Sequence, residues 1–242
     1  MRYLATVSYD GGRYEGWQIQ VDALTIEEEI EKSISKILNT PTKIYGSGRT
    51  DKGVHAHGQT FHFDSDKIND IDKFRYSLNC VLPKDIFVSD VKLVSDDFHA
   101  RYNVKSKTYI YLINMGEYDL FNRNYIYQLL RPLDVELMKK CSELFIGNHN
   151  FMNFTSKKED ESNYVRTINS IEITNKNNII SLTFNGNGFM RYMVRMIVGT
   201  LIEVGLHRLS IEEVKDILNQ KERNVVSFKA PSEGLYLEKV EY

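Results

Sequence analysis

The sequence predicts an α+β fold made of two halves. Segments typical of strands and segments typical of helices follow one another on both sides of about residue 103. The 242 residues suffice for one large domain or for two smaller halves sharing a core, and no Pro- or Ser-rich linker separates them. The contents of 42% hydrophobic and 26% charged residues are ordinary for a globular protein. We therefore divide the chain into an N-terminal α+β half, residues 1–103, and a C-terminal α+β half, residues 104–242.

The N-terminal half opens with an alternating pattern over residues 2–9 that predicts a strand. A glycine-rich loop follows, up to Trp17. Thr25 and Glu28 have the spacing of a capping box, and isoleucines at helical spacing behind them predict a helix to about Leu38. The remaining elements predicted in this half are a short strand at 43–45, a strand at 60–63, a helix at 72–79 and a strand at 86–88.

The C-terminal half begins with β-forming residues at 104–114, which predict a strand. An apolar stripe from Met193 to Leu201 predicts a helix, and Ser210 with Glu213 forms a second capping box that opens a helix through Leu218. The other elements predicted here are a helix at 135–145, a hairpin of strands 168–173 and 179–184 with a polar turn at 175–178, and a terminal strand at 235–240.

Composition limits the classes of function. No apolar run is long enough to span a bilayer, and the N-terminus lacks the apolar core of a signal peptide, so we expect a cytoplasmic protein with no membrane partner. The two cysteines, Cys80 and Cys141, are expected to be buried, reduced thiols and not a disulfide. The net charge of −2 does not exclude a nucleic-acid partner, because acids and bases cluster in different parts of the chain.

The segment Gly48-Arg49-Thr50-Asp51-Lys52-Gly53-Val54-His55-Ala56 is the strongest candidate site. It places the carboxylate of Asp51 between the cations of Arg49 and Lys52, inside a loop that glycines allow to bend sharply. Neighbouring cations favour an ionised carboxylate and also attract phosphate. The pattern indicates chemistry on a nucleotide; the alternative is an Asp that only bonds its own backbone in a turn.

Histidines near this loop raise the possibility of a metal. His55 and His57 share one face of an extended strand, but zinc needs further ligands and the two cysteines have no paired spacing. We therefore expect no metal, and a metal hydrolase built on His55 and His57 remains an alternative that chelation would test.

Two residues of the second half allow two interpretations each. Tyr109, in a predicted strand, is either a core aromatic or a ring that stacks on a base. Arg191 and Arg195 lie four apart on one side of an apolar helix. Arg195 either extends to solvent or is a buried cation with a carboxylate partner.

These motifs together resemble the bacterial tRNA pseudouridine synthases of the TruA family, nearly from end to end. The catalytic-loop string at 48–56 is the most specific of them. The others are Tyr9-Asp10-Gly11-Gly12 with Gly16-Trp17-Gln18, Leu82-Pro83 with Asp85-Ile86, Phe98-His99-Ala100-Arg101 before Tyr109-Ile110-Tyr111, Phe189-Met190 with Met193-Val194-Arg195, and Ala230-Pro231-Ser232-Glu233-Gly234-Leu235.

The resemblance implies a fold, a reaction and partners. The fold would have two similar halves, each an antiparallel sheet with helices, joined into one extended sheet with a central cleft. The reaction would isomerise uridine to pseudouridine at about positions 38, 39 and 40 of the tRNA anticodon stem-loop, on a base flipped out of its stack. The enzyme would be a homodimer and would use no metal and no small-molecule cofactor.

The resemblance also implies roles for individual residues. Asp51 would be the catalytic aspartate and Arg195 its partner, while Tyr109 would pack on the flipped uracil. The remaining residues expected at the substrate are Arg49, which would hold the target base out of the stack, Leu235, which would close the pocket, and Lys52 and His55, which would contact RNA.

Departures from the family pattern leave the RNA open. Thr108 stands before Tyr109, where the family commonly has arginine, and segment 147–156 also differs. The alternatives are the same chemistry on another RNA, such as ribosomal RNA, or an RNA-binding module without catalysis. The residues do not decide whether Asp51 attacks C1′, adds to C6 or removes a ribose proton.

Overall fold

The computed structural model describes residues 1–156, 164–220 and 222–242, and among them ten strands and five α-helices. The predicted α+β class is confirmed. The chain forms two compact units, Met1–Lys105 with Tyr236–Tyr242, and Ser106–Leu235. The terminal strand thus groups with the first unit, whereas the sequence division placed it with residues 104–242.

The first unit is a sheet with the strand order β4-β1-β3-β10, and β2 pairs with β3. The pairs β1–β3 and β1–β4 are antiparallel, whereas β10 runs parallel to β3 with Tyr236 opposite His55. This sheet is therefore mixed and not wholly antiparallel as the resemblance implied. Its elements are β1 (Arg2–Tyr9), α1 (Ile26–Leu38), β2 (Tyr45–Gly46), β3 (His55–Asp64), α2 (Ile71–Val81), β4 (Ile86–Val94) and β10 (Leu235–Glu241), the last beginning one residue before the unit boundary.

Helix α1 begins where the sequence predicts, but the prediction of a capping box at Thr25 and Glu28 is wrong. The Thr25 side chain is fully buried, and its hydroxyl has no hydrogen-bond partner in the described part of the chain. The first free N–H groups of the helix instead bond to backbone: Ile26 N–H donates to the Gly16 carbonyl at 3.2 Å, and Glu27 N–H donates to the Trp17 carbonyl at 3.0 Å. The glycine-rich loop therefore caps α1 and is fixed by it.

The second unit is a sheet with the strand order β5-β9-β8-β7, all antiparallel, with β6 added parallel to β5. The β8–β9 hairpin turns at Asn177 and Asn178, which have φ of 54° and 62°, the left-handed geometry of a two-residue hairpin turn. The elements are β5 (Ser106–Asn114), β6 (Tyr127–Gln128), α3 (Val135–Ser142), β7 (Gly147–Asn150), β8 (Val165–Lys176), β9 (Ile179–Gly186), α4 (Met193–Gly205) and α5 (Ile211–Asn219).

Some local predictions hold and others shift. The Ser210–Glu213 capping box is present in both directions. The strand predicted at 43–45 is displaced to Tyr45–Gly46, and a 3₁₀ turn replaces the last turn of the helix predicted at 135–145. Cys141 is buried as expected, but Cys80 is exposed, because the buried face of α2 is made by other positions such as Leu78. No helix among the described residues is long and apolar enough to cross a bilayer.

Candidate active site

The Asp51 loop connects β2 to β3 in the first unit. Asp51 is half-buried, Thr50 is buried, and Arg49 and Lys52 are exposed. Val54 N–H donates to the Asp51 carbonyl at 3.1 Å and closes a turn. Gly53 has a φ of 74°, a conformation that favours glycine.

The glycine-rich loop after β1 lies directly against the Asp51 loop. A Cβ on Gly11 would lie 2.0 Å from the Val54 carbonyl oxygen, and one on Gly16 would lie 2.7 Å from that of Thr50. Gly16 also has a φ of 103°. Both positions need glycine because the two backbones approach more closely than a side chain allows.

Hydrogen bonds tie Thr50 and Gly53 to this neighbouring loop. The Tyr9 hydroxyl and the Thr50 hydroxyl share a buried hydrogen bond of 2.8 Å. Trp17 N–H donates to the Thr50 carbonyl at 3.1 Å, and Gly53 N–H donates to the Tyr14 carbonyl at 3.4 Å. These bonds hold the residues on both sides of Asp51, so its position is set by the glycine-rich loop.

Tyr14 and Asp85 hold the glycine-rich loop in place. The buried Tyr14 hydroxyl donates to an Asp85 carboxylate oxygen at 2.7 Å, and Arg13 forms an ion pair with the same carboxylate. Burial, followed by the bond to Asp85, raises the pKa of Tyr14 well above its usual value, so the hydroxyl remains a donor. Burial alone would raise the pKa of Asp85, but hydrogen bonds from Arg13 and Tyr14 outweigh it and lower that pKa. Sequence analysis missed this anchor: Asp85 stands in a quoted motif, but Tyr14 is only one residue of the glycine-rich loop.

The two histidines lie on one face of β3, as the sequence predicted, and both rings stack on Tyr236 at 4.9 and 5.0 Å. His55 is only 2% exposed, and its Nδ1 lies 3.2 Å from the Gly11 N–H and 3.1 Å from an Asp10 oxygen. His57 is exposed and pairs through Nδ1 with Glu238 at 2.6 Å. In the described part of the chain, no three His, Cys, Asp or Glu residues are grouped to hold a metal ion.

Lys52 has an acidic neighbour in the structure. Its Nζ lies 2.5 Å from a Glu15 carboxylate oxygen, and both side chains are exposed. A surface pair of this kind is weak and can be exchanged for another anion. The geometry is therefore compatible with the expected contact of Lys52 with RNA.

Tyr109 and Leu235 belong to the second unit. Tyr109, on β5, is 8% exposed, and the Phe189 ring meets it edge-on at 5.2 Å. Leu235 is 5% exposed at the end of a segment held against β5, where Leu112 N–H donates to the Gly234 carbonyl at 2.9 Å. Both side chains are thus buried, Tyr109 on β5 and Leu235 directly after a residue that is hydrogen-bonded to β5.

Arg195, on α4, is 8% exposed, so it does not extend to solvent. Its Nε donates to the Ala230 carbonyl at 2.8 Å, and its own carbonyl accepts from Ala230 N–H at 3.0 Å. Its guanidinium carbon lies 5.3 Å from the centre of the Tyr192 ring. Asp51 belongs to the first unit and Arg195 to the second, and their pairing stays a prediction.

Comparisons with known proteins agree on one family. The sequence matches the family described as tRNA pseudouridine synthase over residues 5–103 and 142–242. Three similar curated proteins are all named tRNA pseudouridine synthase A. That of Mycoplasma genitalium is 41% identical over 242 residues, covering 100% of this chain and 98% of its own. That of Streptococcus thermophilus is 39% identical over 246 residues, covering 100% and 99%. That of a Thermoanaerobacter species is 40% identical over 240 residues, covering 99% and 98%.

Proposed function

The chain belongs to the tRNA pseudouridine synthase family, and we propose that it isomerises uridines of the tRNA anticodon stem-loop with Asp51 as its catalytic carboxylate. Uridine isomerisation in tRNA follows from the family. The anticodon arm as target and the role of Asp51 are the proposal's own. The observation that carries it is the Asp51 loop, in which neighbours on both sides of the carboxylate are tied by hydrogen bonds to a second loop.

The chemistry needs a positioned carboxylate more than anything else. The bond between C1′ and N1 breaks, the uracil turns, and C5 bonds to C1′, so the product has the same atoms as the substrate. An ionised Asp51 acts as nucleophile or base, and fixed positioning of such a group lowers the barrier to reaction. Three roles are compatible with this proposal: attack at C1′, addition at C6 and removal of a ribose proton.

The target base has to leave its stack before Asp51 can reach it. Unstacking costs a few kcal/mol, and less in a loop than in a duplex. Arg49 is exposed next to Asp51 and supplies a cation that offsets part of this cost. Tyr109 packs on the uracil, Leu235 closes the pocket, and Arg195 keeps Asp51 ionised; these three roles rest on the family resemblance.

The other expected RNA contacts differ in kind. Lys52 is exposed and reaches the RNA by exchanging Glu15 for a phosphate. His55, at 2% exposure, contributes through the loop that it holds and not by touching RNA. The enzyme acts where tRNA is found, in the cytoplasm.

A homodimer is part of the proposal. Large apolar side chains are exposed on the segment after β5, with Phe121 at 86%, Tyr118 at 55% and Leu120 at 52%. Such side chains are typical of protein interfaces. Light scattering of the purified chain tests this part: a mass of twice 28.2 kDa is expected, and a monomer at micromolar concentration would contradict it.

A product map tests the proposed target. Unmodified tRNA is incubated with the enzyme, and pseudouridine is located by base-resolved sequencing. Product confined to the anticodon arm supports the proposal. Product elsewhere in tRNA, or only in ribosomal RNA supplied in parallel, would overturn the target, and no product in any RNA would leave a binding module without catalysis.

A further inference from the structure

Three cations surround one aromatic ring in the second unit. Lys229 Nζ lies 4.4 Å from the centre of the Tyr192 ring, and the guanidinium carbons of Arg191 and Arg195 lie 4.9 and 5.3 Å from it. We call these four residues the basic cluster. Each contact is within the range of a cation–π interaction.

Arg191 and Lys229, the two exposed cations of the cluster, form no ion pair with a carboxylate of the described residues. Arg191 donates to the Tyr192 hydroxyl at 3.2 Å and Arg195 donates to the Ala230 carbonyl, both neutral groups. Because like charges repel, Arg191 and Lys229, held on one ring beside Arg195, favour an anion from outside.

The cluster is held in place by backbone packing. Lys229 precedes Ala230, which exchanges two hydrogen bonds with Arg195. A Cβ on Gly199 of α4 would lie 2.8 Å from the Phe228 carbonyl carbon, so this segment lies directly on the helix. The three cations therefore come from two segments with fixed backbones, and an anion does not have to assemble them.

Exposure separates the members of the cluster. Arg191 and Lys229 are exposed and Tyr192 is half-buried, while Arg195 is buried. An anion can therefore reach Arg191 and Lys229 from solvent on the outer side of Arg195. A planar guanidinium and a compact ammonium together suit the oxygens of a phosphate.

We propose that the basic cluster binds a backbone phosphate of the RNA substrate. This rests on the proposed function, because Arg195 belongs to the proposed active site and the phosphate would belong to a nucleotide close to the target uridine. The ligand class is a phosphodiester. The neighbouring cations would fix the RNA strand, and sequence-independent contacts of this kind set register without reading bases.

The test is the salt dependence of tRNA binding, because each phosphate contact releases counterions. Affinity is measured from 50 to 300 mM salt for the native chain, Arg191→Gln and Lys229→Gln. Each variant should bind about 3- to 10-fold more weakly at 100 mM salt, and its slope of log affinity against log salt should fall by about 0.7 to 0.9. Lys215→Gln is the matched control: Lys215 is an exposed lysine of α5 next to Asp216, and its loss should leave the slope unchanged.

Substitutions at Tyr192 distinguish the contribution of its aromatic ring to RNA binding from that of its hydroxyl. Tyr192→Phe keeps the aromatic face and should retain the slope and affinity, whereas Tyr192→Leu removes the face and should lower both. Thermal melting of each variant identifies those that fail to fold. Because Arg191→Gln and Lys229→Gln change only exposed side chains, these two variants are sufficient to test the phosphate site even if the Tyr192 variants do not fold. Inorganic phosphate at 10 mM should compete poorly with tRNA, and strong competition by it would contradict an RNA-specific site.

Two results would overturn the inference. One is a slope for Arg191→Gln and Lys229→Gln equal to that of Lys215→Gln. The other is weakened self-association of these variants with unchanged tRNA binding, which would assign the cluster to an interface between two copies of the chain. If the native chain makes pseudouridine and these results are found, only the phosphate site fails; if it makes none, the proposed function fails independently.

Discussion

Replacing Gly11 by alanine tests whether the glycine-rich loop positions Asp51. The new Cβ would lie 2.0 Å from the Val54 carbonyl oxygen and 2.6 Å from its carbon. Real Cβ contacts below 3.0 Å essentially do not occur, so the two backbones must separate by about 1.0 Å. Because both atoms in the contact on the Val54 side are backbone, no side-chain rotation relieves it, and the Asp51 loop has to move.

The expected result follows from this displacement. Overpacking of this size costs about 1–3 kcal/mol of stability. A misplacement of about 1 Å at a catalytic group lowers kcat on the order of 10²-fold. We therefore expect Gly11→Ala to fold, to bind tRNA, and to form pseudouridine about a hundredfold more slowly in single-turnover assays.

The adjacent glycine supplies the control. A Cβ on Gly12 would meet only the Asp10 side chain, with its oxygen at 3.1 Å, and a shift of a few tenths of an ångström relieves that contact. Gly12→Ala should keep kcat within about 2-fold and lose no more than about 0.5 kcal/mol of stability. Equal rates for the two variants, whether both fast or both slow, would refute the positioning argument.

Three further predictions concern single groups. Tyr14→Phe removes the hydrogen bond to the ionised Asp85 and should lower the free energy of unfolding in urea by about 1.5–3 kcal/mol. The control is Tyr76→Phe, at a ring that is 73% exposed, which should leave that free energy unchanged. Equal losses of stability in the two variants would contradict the role of Tyr14 as an anchor. Burial raises the pKa of the Cys141 thiol to about 12, so a thiol reagent should modify only Cys80 in the native chain and both cysteines in urea, and rapid native modification of both would be inconsistent with the fold. Burial, with Arg2 and His99 nearby, lowers the pKa of His62 to about 4, so near pH 6.5 the unfolded chain binds a proton that the folded chain does not bind. The free energy of unfolding should therefore fall as the pH is lowered from 6.5 to 4. Between pH 7 and 5, His62→Gln should lose up to about 2 kcal/mol less stability than the native chain, and equal losses would refute this.

The sequence predicted most of the elements because their signals are local. The isoleucine stripe of α1 and the capping box at Ser210 depend on residues within one or two turns, and both helices begin where predicted. Thr25 has the same local signal as Ser210, yet it is buried, and the Gly16 and Trp17 carbonyls satisfy the helix instead. Tertiary contacts of this kind are not visible in a spacing pattern.

The candidate site was predictable to a similar extent. The Asp51 loop was found because glycines and alternating charges stand together in nine consecutive residues. Tyr14 and Asp85 are 71 residues apart, and Tyr192 and Lys229 are 37 apart, so only the fold brings each pair together. Arg195 was open to two interpretations because an apolar stripe does not show whether a cation within it reaches solvent; its burial excludes the exposed one.

The most direct test of the central claim is the rate of pseudouridine formation in Asp51→Asn. The amide keeps the size of the side chain and removes its charge, and Asp90→Asn, at an exposed carboxylate of β4, is the matched control. We predict that Asp51→Asn binds tRNA with near-native affinity and forms no detectable pseudouridine by release of tritium from C5-labelled uridine, while Asp90→Asn retains the native rate. Turnover by Asp51→Asn at a rate close to the native one would contradict the assignment of Asp51 as the catalytic residue.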